Sequence, residues 1–322
     1  MGMFRKRKKY SIFYASDIHG SERVFRKFLN AGQFYHVDAI VFGGDLTGKA
    51  IIPFVQYQPG RFRVDVFGVT HEVEIGSALT ELEQFVRDRG SYPYRTTPSE
   101  LQSMQRDKGL VAAVFSQVMS KTAENWVTLA DERLRKAHIP CIMMPGNDDE
   151  PEVKRILAQG DWIVDGEDAV VPLGDYQIAS FGWSTVTPWH SPREVTEEVM
   201  ATRLDNLTRS LDPNIPAIFN LHDPPAESGL DFAYKMTPDM KVEMAGGQAM
   251  LTPVGSVAVR NVITRVKPVL SLHGHIHESR NVAKLGSTLA INPGSAYTEG
   301  VLQGVIISLE GAKVTGYQMV TG

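Results

Sequence analysis

Seven side chains able to bind a metal each stand just after a short apolar run. They are Asp17 and His19 in Ser16-Asp17-Ile18-His19-Gly20, Asp45 in Gly43-Gly44-Asp45, Asn147 in Pro145-Gly146-Asn147-Asp148-Asp149, His222, and His275 and His277 in His273-Gly274-His275-Ile276-His277. Imidazole mixed with carboxylate suits borderline transition metals, being neither an all-oxygen nor an all-thiolate shell. Seven donors are too many for one tetrahedral ion. They suit two ions about 3.5–4 Å apart, which clamp the attacking and leaving oxygens of a displacement. Two adjacent cations need a bridging carboxylate, and Asp45 is the natural choice. Asp-X-His at a strand end puts two side chains on the same side, matching the strand period of two, and His-X-His at 275 and 277 does the same. Each piece alone is weak: Gly-Asn-Asp-Asp reads equally as a turn, and a lone histidine at a strand end is more often structural. The signal lies in the ordered set.

Strands must carry these residues. Tyr10 to Ala15 and Asp38 to Phe42 read as buried strands flanking a helix with Val24, Phe25, Phe28 and Leu29 on one side. Asp17 and Asp45 are 28 residues apart, about one βαβ unit, so both sit at carboxyl ends of adjacent parallel strands, where open α/β sheets place ligands. The next strand, Ile139 to Met144, leads to Asn147, 102 residues beyond Asp45. That is roughly 70 residues more than a βαβ unit requires. The segment from Lys49 to about Ser120 therefore reads as an insertion, a cap or an oligomerisation element. In it, Phe62, Val64 and Val66, then Val69, Val73 and Ile75, predict a β-hairpin around Gly68. Thr97-Pro98-Ser99-Glu100 is a capping box with proline at the first helical position. Met104, Val111, Phe115, Val118 and Trp126 continue a long helix, with a bend placed at Gly109. Downstream, Tyr176 to Phe181, Ala217 to Leu221 and Val269 to Leu272 read as strands. Ser191-Pro192-Arg193-Glu194 is a second capping box expected to open a helix. From Thr288 onward strands alternate with Gly-rich turns.

The chain has 322 residues, 43% hydrophobic and 22% charged, with net charge −4 and pI about 6.2. That is a globular profile, long enough to bury about three quarters of the unfolded surface. It does not favour broad nucleic-acid or membrane binding. The basic run Arg5 to Lys9 reads as a solvated tail. Cys141 is the only cysteine, which excludes an internal disulfide and fits a cytoplasmic location. No apolar run is long enough to span a membrane. His36, His71, His138 and His190 lack ligand-like neighbours and read as surface or packing residues. His273 reads as core or as support for the donors, and Arg280 as a surface ion pair rather than a phosphate contact.

The series Asp17-Ile18-His19, Gly44-Asp45, Gly146-Asn147, His222 and Gly274-His275-Ile276-His277 resembles the calcineurin-like metallophosphoesterase superfamily. His222-Asp223-Pro224-Pro225 and Asn292-Pro293-Gly294-Ser295 are similar to its bacterial and archaeal stand-alone members. The resemblance covers the chain outside Lys49 to about Ser120. It implies an α/β fold, a four-layer α-β-β-α sandwich with two mixed sheets in one phosphoesterase domain. It implies that Asp17, His19, Asp45 and His277 hold one metal, and Asp45, Asn147, His222 and His275 the other. The ions would be Mn²⁺ first, with Fe, Zn²⁺, Ni²⁺ or Co²⁺ as alternatives. Such a pair lowers the pKa of a bridging water, and the resulting hydroxide attacks phosphorus in line with no covalent enzyme intermediate.

The family often reads Gly-Asn-His here, with the histidine aiding the leaving group. This chain has Asp148, a poor acid near neutral pH, so Asp148 is expected to act with a water or to orient Asn147. A carboxylate at that place repels a dianionic monoester more than a monoanionic diester. The reading is therefore a phosphodiesterase acting on small or nucleotide-like esters. A phosphomonoesterase is the runner-up. The acidic balance counts against a nuclease. Leu46-Thr47-Gly48, where an Asp-Arg-Gly is expected, counts against a protein Ser/Thr phosphatase. A catalytically dead scaffold would be expected to have lost donors.

Overall fold

The computed structural model describes residues 9–322, so the basic run up to Lys8 lies outside the described residues. The protein is a mixed α/β structure with two six-stranded mixed sheets. The first runs in the order Lys313–Thr321, Gln303–Glu310, Tyr10–Ala15, Ala39–Phe42, Cys141–Met143, Ile163–Asp165. Its last four strands are parallel, with Ile12 opposite Ala39, Ile40 opposite Cys141 and Cys141 opposite Ile163. The second runs Asn281–Leu285, Thr288–Asn292, Leu270–Leu272, Ala217–Leu221, Tyr176–Phe181, Ala169–Leu173. Its four central strands are parallel and its two edge strands antiparallel.

The central strands are apolar on both faces because both faces are covered. Ile12, Tyr14, Val41 and Ile142 from one sheet share a core with Ile178, Ile218, Leu272 and Ile291 from the other. The intervening residues of the same strands face the other way, as the pleat requires. Phe13, Ile40 and Phe42 pack on Phe25 and Phe28 of helix Glu22–Phe34 and on Trp126 and Leu134 of helix Lys108–Ala137. Ala179, Phe181 and Phe219 pack on Met200 and Leu204 of helix Glu197–Thr208 and on Val259 and Ile263 of helix Val257–Val266.

Between Asp45 and Asn147 the chain builds a four-stranded sheet ordered Val69–Glu74, Arg61–Val66, Ala50–Gln58, Ser91–Thr96. Its own core joins Phe54, Phe62, Val64 and Val66 to Leu79 and Val86 of helix Ser77–Arg87. The expected hairpin is present: Val66 pairs with Val69 across Phe67-Gly68, both at positive φ (49° and 82°). The first capping box also forms, with the Thr97 side chain accepting from the Glu100 N–H at the start of helix Pro98–Arg106.

Two expectations need correction. The long helical pattern breaks at Asp107 rather than bending at Gly109. Asp107 ends helix Pro98–Arg106 in an extended conformation, and its carboxylate accepts from the Gly109 N–H at 2.8 Å to start helix Lys108–Ala137. That second helix runs unbroken through Ser120, and its later half lies in the core under the first sheet. The second capping box opens no helix. Glu194 does reach back to the Ser191 N–H at 2.8 Å, but Glu194–Val195 pairs as a short strand with Ser184–Thr185, and the helix begins at Glu197, capped by Thr196.

Among the described residues no helix is long and apolar enough to cross a membrane.

Candidate metal centre

The parallel strands of each sheet end in turns that carry the donors. Tyr10–Ala15 leads to Asp17 and His19, Ala39–Phe42 to Asp45, and Cys141–Met143 to Asn147. Ala217–Leu221 leads to His222, and Leu270–Leu272 to His275 and His277. The donors do not continue the strand alternation. Asp17, His19, Asp45 and His275 have φ of 56°, 44°, 57° and 66°, the left-handed region that non-glycine residues occupy at a cost. Backbone bonds between turns hold these conformations: Asp17 N–H to Gly44 O at 2.9 Å and His19 N–H to Asp45 O at 2.9 Å. At Gly146 a Cβ would lie 2.1 Å from Asp45 Oδ1, so only glycine admits the close approach of these two turns.

All seven predicted donors converge. Asp17, His19 and His277 form one group whose ligand atoms lie within 4.8 Å of one another, and Asp45, His222 and His275 form a second. Asp45 Oδ2 stands between them, 3.5 Å from His19 Nε2 and 3.4 Å from His222 Nε2. His19 Nε2 and His277 Nε2 face each other at 2.9 Å. Asn147 Oδ1 lies 2.9 Å from His222 Nε2. Its amide nitrogen donates to Asp148 at 3.1 Å and to Ser191 Oγ at 3.0 Å, which fixes the carbonyl end toward the other donors.

The residues present fit cations. Asp17 and Asp45 are each 1% exposed, and among the described residues their ion-pair partners are imidazoles alone. Buried charges are normally paired or bound to metals. Burial lowers the pKa of His222, but Asp45 and Asp17 overcome this and push it up to about 10. The two buried carboxylates thus favour a positive charge at this ring. Burial pushes His275 down to about 4, and His19 also well below the histidine range, so these rings are neutral, the state that ligates.

Several residues in the site were not legible as functional. Lys49, at the entry to the four-stranded sheet, pairs with Asp148 Oδ2, while Ser191 donates to Asp148 Oδ1 at 2.6 Å. Burial opposes the Lys49 charge, but Asp148 and Asp45 hold its pKa above the usual lysine value. Asp148 is therefore no isolated carboxylate, and the electrostatic ground for rejecting dianions is weaker than the sequence implied. Asp149 is fully buried and accepts from the backbone N–H groups of Leu46 (2.9 Å), Thr47 (2.8 Å) and Gly146 (2.8 Å), joining the Asp45 and Asn147 turns. Arg193 pairs with buried Glu167 and donates to Gly146 O at 3.1 Å. The Tyr297 ring lies 4.7 Å from that of His19. Ser295 Oγ donates to Asp17 O at 2.6 Å, and the Asn292 amide donates to Gly274 O and Ile276 O, so Asn292-Pro293-Gly294-Ser295 holds two donor-bearing turns.

His273 is core: its Nδ1 faces Leu221 O at 2.9 Å and its Nε2 faces Ser271 Oγ at 2.8 Å. His36, His71 and His138 belong to none of the donor groups. His190 lines the cleft above the site. Among the described residues Arg280 does not form the expected ion pair. It donates to Thr321 Oγ1 at 2.8 Å and Val320 O at 3.0 Å, tying its turn to the last strand.

The donors open into a cleft of about 640 Å³. Asp45, Asn147, His275 and His277 form its floor, with Lys49 and Asp148 beside them.

No family model matches the chain. The uncharacterized protein MJ1162 of Methanocaldococcus jannaschii is 28% identical over 159 residues, 48% of this chain and 64% of that relative, so the match spans less than two thirds of the relative. A crystal structure aligned over 98% of this chain and 99% of its own has a TM-score of 0.53 at 13% identity. The protein TT1561 of Thermus thermophilus aligns over 94% of this chain and 99% of its own, with a TM-score of 0.50 at 15% identity. A third, described as a novel archaeal phosphodiesterase, has a TM-score of 0.36 at 12% identity over 97% of this chain and 99% of its own. At these identities the first two likenesses are likenesses of fold.

Proposed function

We propose that the protein is a metal-dependent phosphoesterase of the calcineurin-like kind, acting on phosphodiesters with two transition-metal ions. The observation that carries this reading is the pair of adjacent donor groups, Asp17-His19-His277 and Asp45-His222-His275, with Asp45 in reach of both. The four-layer α-β-β-α arrangement is part of the same proposal. It is supported by one core between the sheets and a helix-covered core on each outer face.

Asp17, His19, Asp45 and His277 would hold one ion, and Asp45, Asn147, His222 and His275 the other, Mn²⁺ being the first candidate. When bound, such a pair activates water and neutralises phosphoryl oxygens. Lys49 presents a fixed positive charge at the cleft floor. Asp148, held by Lys49 and Ser191, orients the Asn147 amide and thereby its carbonyl oxygen. The segment from Lys49 to about Ser120 borders this cleft through Lys49 and Phe115, which line it.

Diester preference rests on charge. Apart from Asp45 and the imidazoles, the charged groups among the described residues that line the cleft are Asp148, Glu150 and Glu278 against Lys49 alone. Unlike a dianionic monoester, a diester meets that rim with one negative charge. The Lys49–Asp148 pairing favours the second reading, a phosphomonoesterase, because it offsets one of the three carboxylates.

The test is metal analysis together with hydrolysis of bis(4-nitrophenyl) phosphate and 4-nitrophenyl phosphate in Mn²⁺. Two ions per chain and a higher kcat/KM on the diester are expected. Monoester preference would replace the first reading with the second. A protein that binds no metal would be a scaffold.

A further inference from the structure

Three segments that build neither six-stranded sheet meet at the mouth of the cleft. Helix Lys108–Ala137 brings Phe115, the loop after Ser184–Thr185 brings Trp189, and the arm between Asp231 and Val254 brings Tyr234, Met236 and Val242. Phe115 also packs against the core under the first sheet, whereas Trp189, Tyr234 and Val242 are left open. Trp189 is 60% exposed and Tyr234 42%, with Val242 at 39%. Large apolar groups left open and gathered on one wall mark a binding surface rather than scattered exposure. The wall is continuous with the donors, because the same cleft is floored by Asp45, Asn147, His275 and His277.

Resting on the phosphoesterase reading, we propose that this wall binds an aromatic substituent of the substrate, so that the natural ester carries a planar ring within reach of phosphorus. Phe115, Trp189 and Tyr234 offer ring faces and edges, which a planar group uses better than an alkyl chain does. Charge points the same way. Glu150 and Glu278 on the rim disfavour a substrate with further phosphates, and among the described residues the cleft offers Lys49 alone as a non-imidazole cation. The substrate chemistry is thus a monoanionic ester with one aromatic arm, aryl or nucleobase, and not a polyanion.

The experiment uses three phosphinates, each a monoanion without a P–O–C bond to hydrolyse: dimethylphosphinate, methyl(hexyl)phosphinate and methyl(phenyl)phosphinate. Their binding to the Mn²⁺-loaded protein is measured by calorimetry. The phenyl compound is expected to bind at least about tenfold more tightly than the dimethyl compound, the scale of burying one ring, and more tightly than the hexyl compound. Trp189→Ala should bring the phenyl-to-methyl ratio down several-fold with metal content unchanged, and Trp189→Phe should restore most of it. A hexyl compound that binds as well as the phenyl one overturns the aromatic assignment. So does a ratio near one, or a ratio that Trp189→Ala leaves intact. If none of the three binds and bis(4-nitrophenyl) phosphate is also untouched, the phosphoesterase reading itself falls.

Discussion

Asp45 stands between the two donor groups: its carboxylate reaches His19 of one and His222 of the other, and its Oδ1 accepts from the Asp148 N–H at 3.0 Å. Asp45→Asn halves its capacity to sit between two cations. We expect this variant to lose at least one ion by metal analysis and to lose kcat by on the order of 10²-fold or more. Two retained ions with wild-type turnover would place the chemistry elsewhere. A second residue-scale prediction concerns His273, whose pKa burial pushes down to about 4 from 6.5. Its folded pKa lies below its unfolded one, so the unfolded chain takes up this proton first. The contribution is intact above pH 6.5 and declines as pH falls toward 4, by on the order of 3 kcal/mol in all. The check is the difference in Tm against pH between wild type and His273→Gln. That difference separates His273 from Glu167 and Asp223, whose carboxyls burial moves the opposite way, up to about 7. The seven donors were legible because each polar residue interrupts an apolar run. Lys49 and Ser191 were not, because what makes them functional is Asp148, a residue distant in sequence that each reaches only through the fold.

Between residue and molecule stand the turns. The parallel strands that lead to donors were legible, because buried parallel strands read as unbroken apolar stretches, but the short parallel edge strand Ile163–Asp165 was not. Sequence reasoning missed the left-handed turns at Asp17, His19, Asp45 and His275, since local composition does not announce a conformation held by bonds to a neighbouring turn. The capping boxes show the same limit. Thr97-Pro98-Ser99-Glu100 starts a helix, whereas in Ser191-Pro192-Arg193-Glu194 the serine hydroxyl is taken by Asp148 and Arg193 is drawn inward by Glu167. The prediction at this scale is Gly146→Ala. A methyl 2.1 Å from Asp45 Oδ1 forces the two turns apart. Calorimetric titration should show metal affinity at least about tenfold weaker. Thermal unfolding should show a loss of about 1–3 kcal/mol, typical of an overpacked site. Unchanged affinity would mean that the turns tolerate separation and that Asp45 need not sit where it does.

Across the whole molecule, four donors follow strands of one sheet and three follow strands of the other. Ions bound there would tie the sheets together at their strand ends, opposite faces of a shared apolar core. Metal loading should therefore raise Tm and chelation lower it. Free metal at 1,000 times its Kd stabilises by about 4 kcal/mol if the unfolded chain does not bind. A Tm indifferent to chelator in a protein shown to carry metal would mean that the sheets are held without the ions.

The order of strands in the first sheet also sets a timetable. Tyr10–Ala15 lies between Ala39–Phe42 and Gln303–Glu310, pairing Tyr14 with Val305 and Tyr10 with Leu309. A ribosome adding 5–20 residues per second reaches that partner on the order of tens of seconds after the first strand emerges. Until then one flank of Tyr10–Ala15 presents open N–H and C=O groups beside exposed isoleucine and tyrosine, the kind of edge that recruits foreign strands. The nascent chain thus passes through a long interval in which this strand is sticky, and holdase chaperones should matter more to its yield than to its final stability.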